Sequence, residues 1–108
     1  MAKTSARTLS KINRFIREVE KEFEVKKVIL FGSHATGKAG QWSDIDLAIV
    51  SNDFKNIDLF QRLVILGKIA WRAKTTDIEA LGFTPGEFEE ASELDFAFEI
   101  KNKGIALK

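Results

Sequence analysis

Two short apolar runs on either side of a glycine-marked turn constrain this chain more than any other feature. Val28 to Phe31 stops at Gly32, and Ile45 to Val50 resumes after Gly37 and Gly40. Short β-branched and aromatic runs bounded by turn residues read as buried strands. The second run is entered through Asp44-Ile45-Asp46. Residues two apart on a strand share a face, about 6.6 Å apart along the backbone. Asp44 and Asp46 can therefore converge on one site while Ile45 and Leu47 turn into a core.

The rest of the chain supplies what such strands must pack against. Residues 1–108 read as one domain, and a chain of this size buries roughly two-thirds of its unfolded surface on folding. Leu9, Ile12, Phe15, Ile16, Val19 and Phe23 recur at three- and four-residue steps, predicting an amphipathic helix from Ser5 or Thr8 to about Glu24. Its basic residues interleave with Glu18, Glu20 and Glu22, the pattern of a solvated face and not of a phosphate patch. Asn52 and Asp53 are helix-start residues for a second helix from about Ile57 to Arg72. There Ile57, Phe60, Leu63, Val64, Gly67, Ala70 and Trp71 make one face, and Leu59, Ile65, Leu66 and Ile69 widen it beyond a normal core stripe. Such an excess is either buried between layers or covered by another protein.

Lys74 to Phe83 reads as a third strand, with Thr76, Ile78 and Ala80 on one face and Asp77, Glu79 and Leu81 on the other. Thr84-Pro85 then opens a short helix over Glu87 to Ala91. Alternation of Leu94, Phe96, Phe98 and Ile100 favours a strand, but Lys101 and Lys103 before Gly104 are a helix's last turn. The helix is preferred, with a closing strand at Ile105 to Leu107. Phe83, Phe88, Phe96 and Phe98 are read as core.

Composition narrows the chemistry. With no cysteine there are no disulfides or thiolate metal sites, and no apolar run is long enough to span a bilayer. A formal charge of +1 offers no electrostatic case for direct nucleic-acid or membrane binding. A soluble cytoplasmic protein is expected. Gly32, Gly37 and Lys38 imitate the spacing of the phosphate loop G-x-x-x-x-G-K-[ST], but Ala39 lacks the hydroxyl that would hold magnesium and Gly40 falls where a helix should run. That reading is rejected in favour of one that joins Gly32-Ser33 to Asp44 and Asp46. Carboxylates suit magnesium, and two hard cations about 3.5–4 Å apart would hold a triphosphate and an attacking oxygen for in-line displacement. A third carboxylate is then needed, and Asp77 can supply it from a neighbouring strand. Gly32 lets the backbone approach a phosphate, and the Ser33 amide and hydroxyl can donate to it, more so if a short helix starts there.

Gly32-Ser33, ten intervening residues, then Asp44-x-Asp46 resembles the signature of the DNA polymerase β-like nucleotidyltransferases. The whole chain is similar to the minimal nucleotidyltransferase (MNT) proteins of that superfamily, through its leading helix, its Ser43-Asp44-Ile45-Asp46-Leu47 strand, Thr76-Asp77-Ile78, Thr84-Pro85 and Lys103-Gly104-Ile105. The resemblance implies an α/β (α+β) fold, a small mixed β-sheet packed against helices. It further implies magnesium, two ions in number, and transfer of a nucleoside monophosphate from a nucleoside triphosphate such as ATP. Carried over by position, Asp44, Asp46 and Asp77 are catalytic metal ligands, and Gly32 and Ser33 hold the triphosphate. Glu79 shares a face with Asp77 and is its rival. Many relatives read Gly-Ser-x-Ala-Arg-Gly where this chain has Thr36, and Lys38 is the candidate to replace that arginine.

Minimal proteins of this kind are paired with a helical HEPN-domain toxin, and some act as antitoxins by transferring AMP to a tyrosine of that partner. This chain contains no tyrosine, so a tyrosyl acceptor must lie on another chain, and the apolar helix from Ile57 to Trp71 is the candidate docking face. The alternative is a non-catalytic antitoxin that neutralises its partner by covering it. His34 is read as a polar turn residue with at most a minor substrate contact, and Trp42 as packing that could cover a base.

Overall fold

The structure, a computed structural model, describes residues 5–40, 43–92 and 95–108. It is built on a four-stranded mixed sheet of β1 (Lys27–Phe31), β2 (Ile45–Val50), β3 (Ile78–Phe83) and β4 (Ile105–Ala106), in spatial order β3-β2-β1-β4. β1 pairs antiparallel with β2 and β4, whereas β2 and β3 are parallel. A parallel pair needs a crossover, which helix α3 (Leu59–Arg72) supplies. The remaining helices are α1 (Ala6–Glu20), α2 (Ser33–Thr36), α4 (Pro85–Glu89) and α5 (Phe96–Lys103).

Strand alternation sends the two faces of the sheet into two cores. Val28, Leu30, Ile45, Leu47, Ile49, Ile78 and Ala80 meet Ile12, Phe15 and Val19 of α1 and Leu66, Ile69 and Ala70 of α3. Ile29, Ala48 and Val50 on the opposite face meet Phe88, Ala97 and Ile100 of α4 and α5. β2 falls where the sequence places it, and the closing strand begins at Ile105 as expected but ends at Ala106, one residue short of Leu107. The helix preferred for the stretch from Leu94 to Lys103 is present as Phe96–Lys103, and Leu94 lies outside the described residues.

Four boundaries differ from the sequence reading, each because another group captures the chain. α1 is capped by Ser5, whose side chain accepts from Thr8 N–H, but it ends at Glu20 and not Glu24. The Glu24 N–H donates instead to the Asp53 carboxylate at 2.7 Å, while Phe23 still packs on Phe54 with ring centroids 4.9 Å apart. Asn52 and Asp53 open only a 3-10 turn, and the cap of α3 is Asp58, which accepts from Gln61 N–H at 2.8 Å. β3 starts at Ile78 and not Lys74, because Thr75 folds back to close α3, its N–H and hydroxyl both donating to the Ala70 carbonyl. α4 begins at Pro85, two residues early, since Thr84 and Glu87 form a reciprocal capping box.

The largest correction concerns α3. Leu66 and Ile69, read as excess, are 1% exposed and central to the core, whereas Phe60 and Trp71, placed on the main apolar face, are 73% and 74% exposed. Leu59, Leu63 and Val64 are exposed too. Arg62 explains the reversal. It interrupts the stripe Arg62-Leu66-Ile69-Ala70-Ala73, yet it is 3% exposed. Its Nε donates to the Ile57 carbonyl at 2.7 Å, its two terminal nitrogens donate to the Phe54 and Gly82 carbonyls at 2.8 and 3.2 Å, and both donate to the Glu87 carboxylate. A buried guanidinium is tolerable when its donors are used. Phe96, read as core, is likewise exposed, although its ring edge meets Phe31.

Candidate active site

The end of β1 and the beginnings of β2 and β3 lie side by side. Phe31 pairs with Asp46 across the antiparallel ladder, and Asp46 pairs with Glu79 across the parallel one. Phe31, Asp46 and Glu79 therefore share the sheet face that looks toward α5, while Ile45 and Ile78 point the other way into the main core. Asp44 is exposed just before β2. The Asp77 carbonyl accepts the Ile45 N–H at 2.8 Å, which fixes Asp77 beside Asp44 at the mouth of the same two strands.

Gly32 closes this mouth from above. Its backbone has φ +72° and ψ −153°, a region reserved almost wholly for glycine. A Cβ there would lie 2.3 Å from Oδ2 of Asp46, so the turn rests directly on the carboxylate and no side chain can intervene. Ser33 then begins the short helix α2, and the Ala35 and Thr36 N–H groups bond back to the Gly32 carbonyl. Gly37 ends it at φ +78° in the left-handed conformation. The Lys38 N–H donates to the Ser33 carbonyl at 3.0 Å, and its side chain is exposed. Thr36 turns its hydroxyl onto the Ser33 carbonyl at 3.4 Å. His34 is half-buried and approaches the Ser43 carbonyl with Nε2 at 3.3 Å. Trp42 lies outside the described residues.

Electrostatics distinguish the acids. Burial, then the charges of Glu79 and Asp44, push the Asp46 carboxyl above its ordinary value, against a smaller pull from His34. For Asp77 burial also acts upward, but the Lys11 hydrogen bond, the Asp77 backbone N–H and the Lys11 charge outweigh it, so the carboxyl is held below its ordinary value. Lys11 Nζ is 2.7 Å from Asp77 Oδ2. The structure thus brings Asp46, Asp44 and Glu79 into mutual range and places Asp77 beside them with its carboxylate tied to α1. Among the described residues no three histidine, aspartate or glutamate side chains converge as a ready metal cluster. The donors are nonetheless of the kind a hard divalent cation takes, all carboxylate oxygens, and such a charge would relieve the part of the rise in Asp46 that comes, after burial, from Glu79 and Asp44.

A groove of about 540 Å³ leads away from the acids. Asp46 and Glu79 line one end, and Phe31, Leu63, Gly67, Leu81 and Phe96 line the rest. Leu63, one of the exposed apolar residues of α3, thus shares a groove with Asp46 and Glu79. Sequence reasoning missed Lys11, which carries no local signal, and Arg62, whose burial depends on carbonyls from separate segments.

A mixed sheet with helices on both faces, and a Gly-Ser turn resting on an Asp-x-Asp strand, is the layout of the polymerase β-like nucleotidyltransferase fold. The nucleotidyltransferase domain family matches residues 12–106, and the chain belongs to that family. The fold is similar to a crystal structure of a proposed nucleotidyltransferase from Sulfolobus solfataricus, with TM-score 0.59 and 21% identity over 98% of this chain and 89% of that one. It is also similar to a chain in a crystal structure of a toxin-antitoxin with AMP-PNP, with TM-score 0.63 and 23% identity over 89% of this chain and 71% of that one. No curated protein matches significantly. No helix among the described residues is long and apolar enough to cross a membrane.

Proposed function

We propose that this chain is a magnesium-dependent nucleotidyltransferase that moves AMP from ATP to a hydroxyl, a tyrosine's, on a HEPN-domain toxin and so acts as its antitoxin. The observation that carries the reading is the contact of Gly32 with Asp46, which seats the Gly32-Ser33 turn directly on one of the paired acids. Divalent cations bound there would supply charge neutralisation of the triphosphate and activation of the acceptor oxygen. Asp44, Asp46 and Asp77 would hold them, with Glu79 in reserve beside Asp46. The Ser33 amide and hydroxyl, and Lys38, would orient the phosphates. The acceptor oxygen bonds to the α-phosphorus as the bond to the bridging oxygen breaks. Pyrophosphate leaves, and the hydroxyl proton passes to a site carboxylate.

The chain has no tyrosine of its own, and of the exposed Leu59, Phe60, Leu63, Val64 and Trp71 on α3, Leu63 lines the same groove as Asp46 and Glu79. A partner seated on them would present its hydroxyl next to Asp46. The neighbour solved as a toxin-antitoxin with AMP-PNP supports a partner and a nucleotide together. The same apolar surface also serves the second reading, a non-catalytic antitoxin, which the engagement of Asp77 by Lys11 favours. Incubation with host lysate, magnesium and α-phosphate-labelled ATP decides between them. Transfer predicts a labelled protein band that is absent with Asp44→Asn,Asp46→Asn. ATP binding without label from a lysate that contains the partner would support the second reading.

A further inference from the structure

Among the described residues, Lys11 is the one cation whose charged head reaches a candidate site acid from another element. It lies 66 positions from Asp77 in sequence, on the first helix, with its Nζ 2.7 Å from Oδ2. No other ion pair among the described residues engages Asp44, Asp46, Asp77 or Glu79. Its backbone is anchored, because the adjoining Ile12 and the next-turn Phe15 are buried in the main core. The side chain is 35% exposed and carries its ammonium on a flexible four-carbon stem.

We infer that Lys11 is a positioning residue that occupies the Asp77 carboxylate while the site is empty and transfers its charge to the triphosphate when nucleotide arrives. The inference rests on the nucleotidyltransferase reading and adds to it an order of events. An ammonium and a divalent ion on one carboxylate repel each other. A unit positive charge on the order of 6 Å from a divalent ion weakens its binding about tenfold even at the dielectric constant of water. Metal alone is therefore held poorly by Asp77. A triphosphate offers Lys11 a stronger anion than one carboxylate, draws the ammonium off, and frees Asp77 to take the metal carried in with the nucleotide.

The test is a pair of titrations on the whole chain, Mn²⁺ alone followed by electron paramagnetic resonance and a magnesium complex of a non-hydrolysable α,β-methylene ATP followed by calorimetry. Lys11→Met should bind Mn²⁺ alone about tenfold tighter and the nucleotide complex about tenfold more weakly. Lys11→Arg, which keeps the charge, should match the wild type in both. Unchanged affinities in Lys11→Met, or two affinities moving in the same direction, would overturn the inference, since a merely structural loss moves both together. A wild type that binds neither Mn²⁺ nor nucleotide would overturn the nucleotidyltransferase reading itself, and this one with it.

Discussion

Gly32→Ala is the sharpest probe of the site, because two separate costs fall on one methyl group. The first is backbone strain. At φ +72° and ψ −153° a residue other than glycine is penalised by about 1–3 kcal/mol. The second is steric, since the new Cβ would stand 2.3 Å from Asp46 Oδ2 and 3.2 Å from its Cγ, well inside contact distance. Together they should cost about 2–3 kcal/mol, which for a domain of this size lowers Tm by roughly 10–20 °C. Asp46→Ala separates the two, because it removes the carboxylate and leaves only a Cβ at an ordinary 3.4 Å. In a double-mutant cycle, Gly32→Ala should therefore cost less in the Asp46→Ala background, by about 1 kcal/mol. Gly67→Ala is the control of opposite sign. It lies mid-helix in α3, where an added Cβ would meet nothing within 4 Å, so alanine should stabilise by about 0.5–1 kcal/mol. Thermal melts by circular dichroism read all four variants. A wild-type Tm in Gly32→Ala, or an equal cost in both backgrounds, would refute the contact between the turn and the acid.

Arg62→Ala strands a network of carbonyls and the Glu87 carboxylate, and should cost about 3–5 kcal/mol by urea denaturation; the Glu87 carboxyl, held low first by its hydrogen bond from Arg62, should titrate closer to its ordinary value. Leu66→Ala should destabilise by about 2–5 kcal/mol, whereas Leu63→Glu should stay within about 0.5 kcal/mol of wild type and yet abolish co-purification of the proposed partner. Asp46 is raised when folded, so its ionisation costs stability: Asp46→Asn should stabilise the metal-free domain at pH 7, with the gain shrinking as pH falls through the folded value and vanishing below the ordinary value of 3.8. A gain that persists at pH 3 would contradict that origin. In transfer assays Asp77→Asn should abolish labelling while largely sparing nucleotide binding, and Glu79→Gln should do little; the reverse pattern would move the third-acid role to Glu79.

The parts of this protein legible in the sequence are those fixed over a few neighbouring residues. The apolar run of β2, the stop at Gly32 and the placing of Asp44 and Asp46 two positions apart at the entry to β2 follow from strand period and glycine stereochemistry, which act locally. The tertiary structure decided which side of α3 is buried. A helix apolar nearly all round has no single stripe, and the stripe containing an arginine looked the worse one until carbonyls from Phe54, Ile57 and Gly82 gathered around its guanidinium. It also decided the ends of α1 and β3, set by Asp53 and by the Ala70 carbonyl, and the partner of Asp77, supplied by a lysine on the first helix. Periodicity measures how apolar a face is, but burial is chosen by whether each polar group on that face can be satisfied once distant segments arrive, and no local window contains that information.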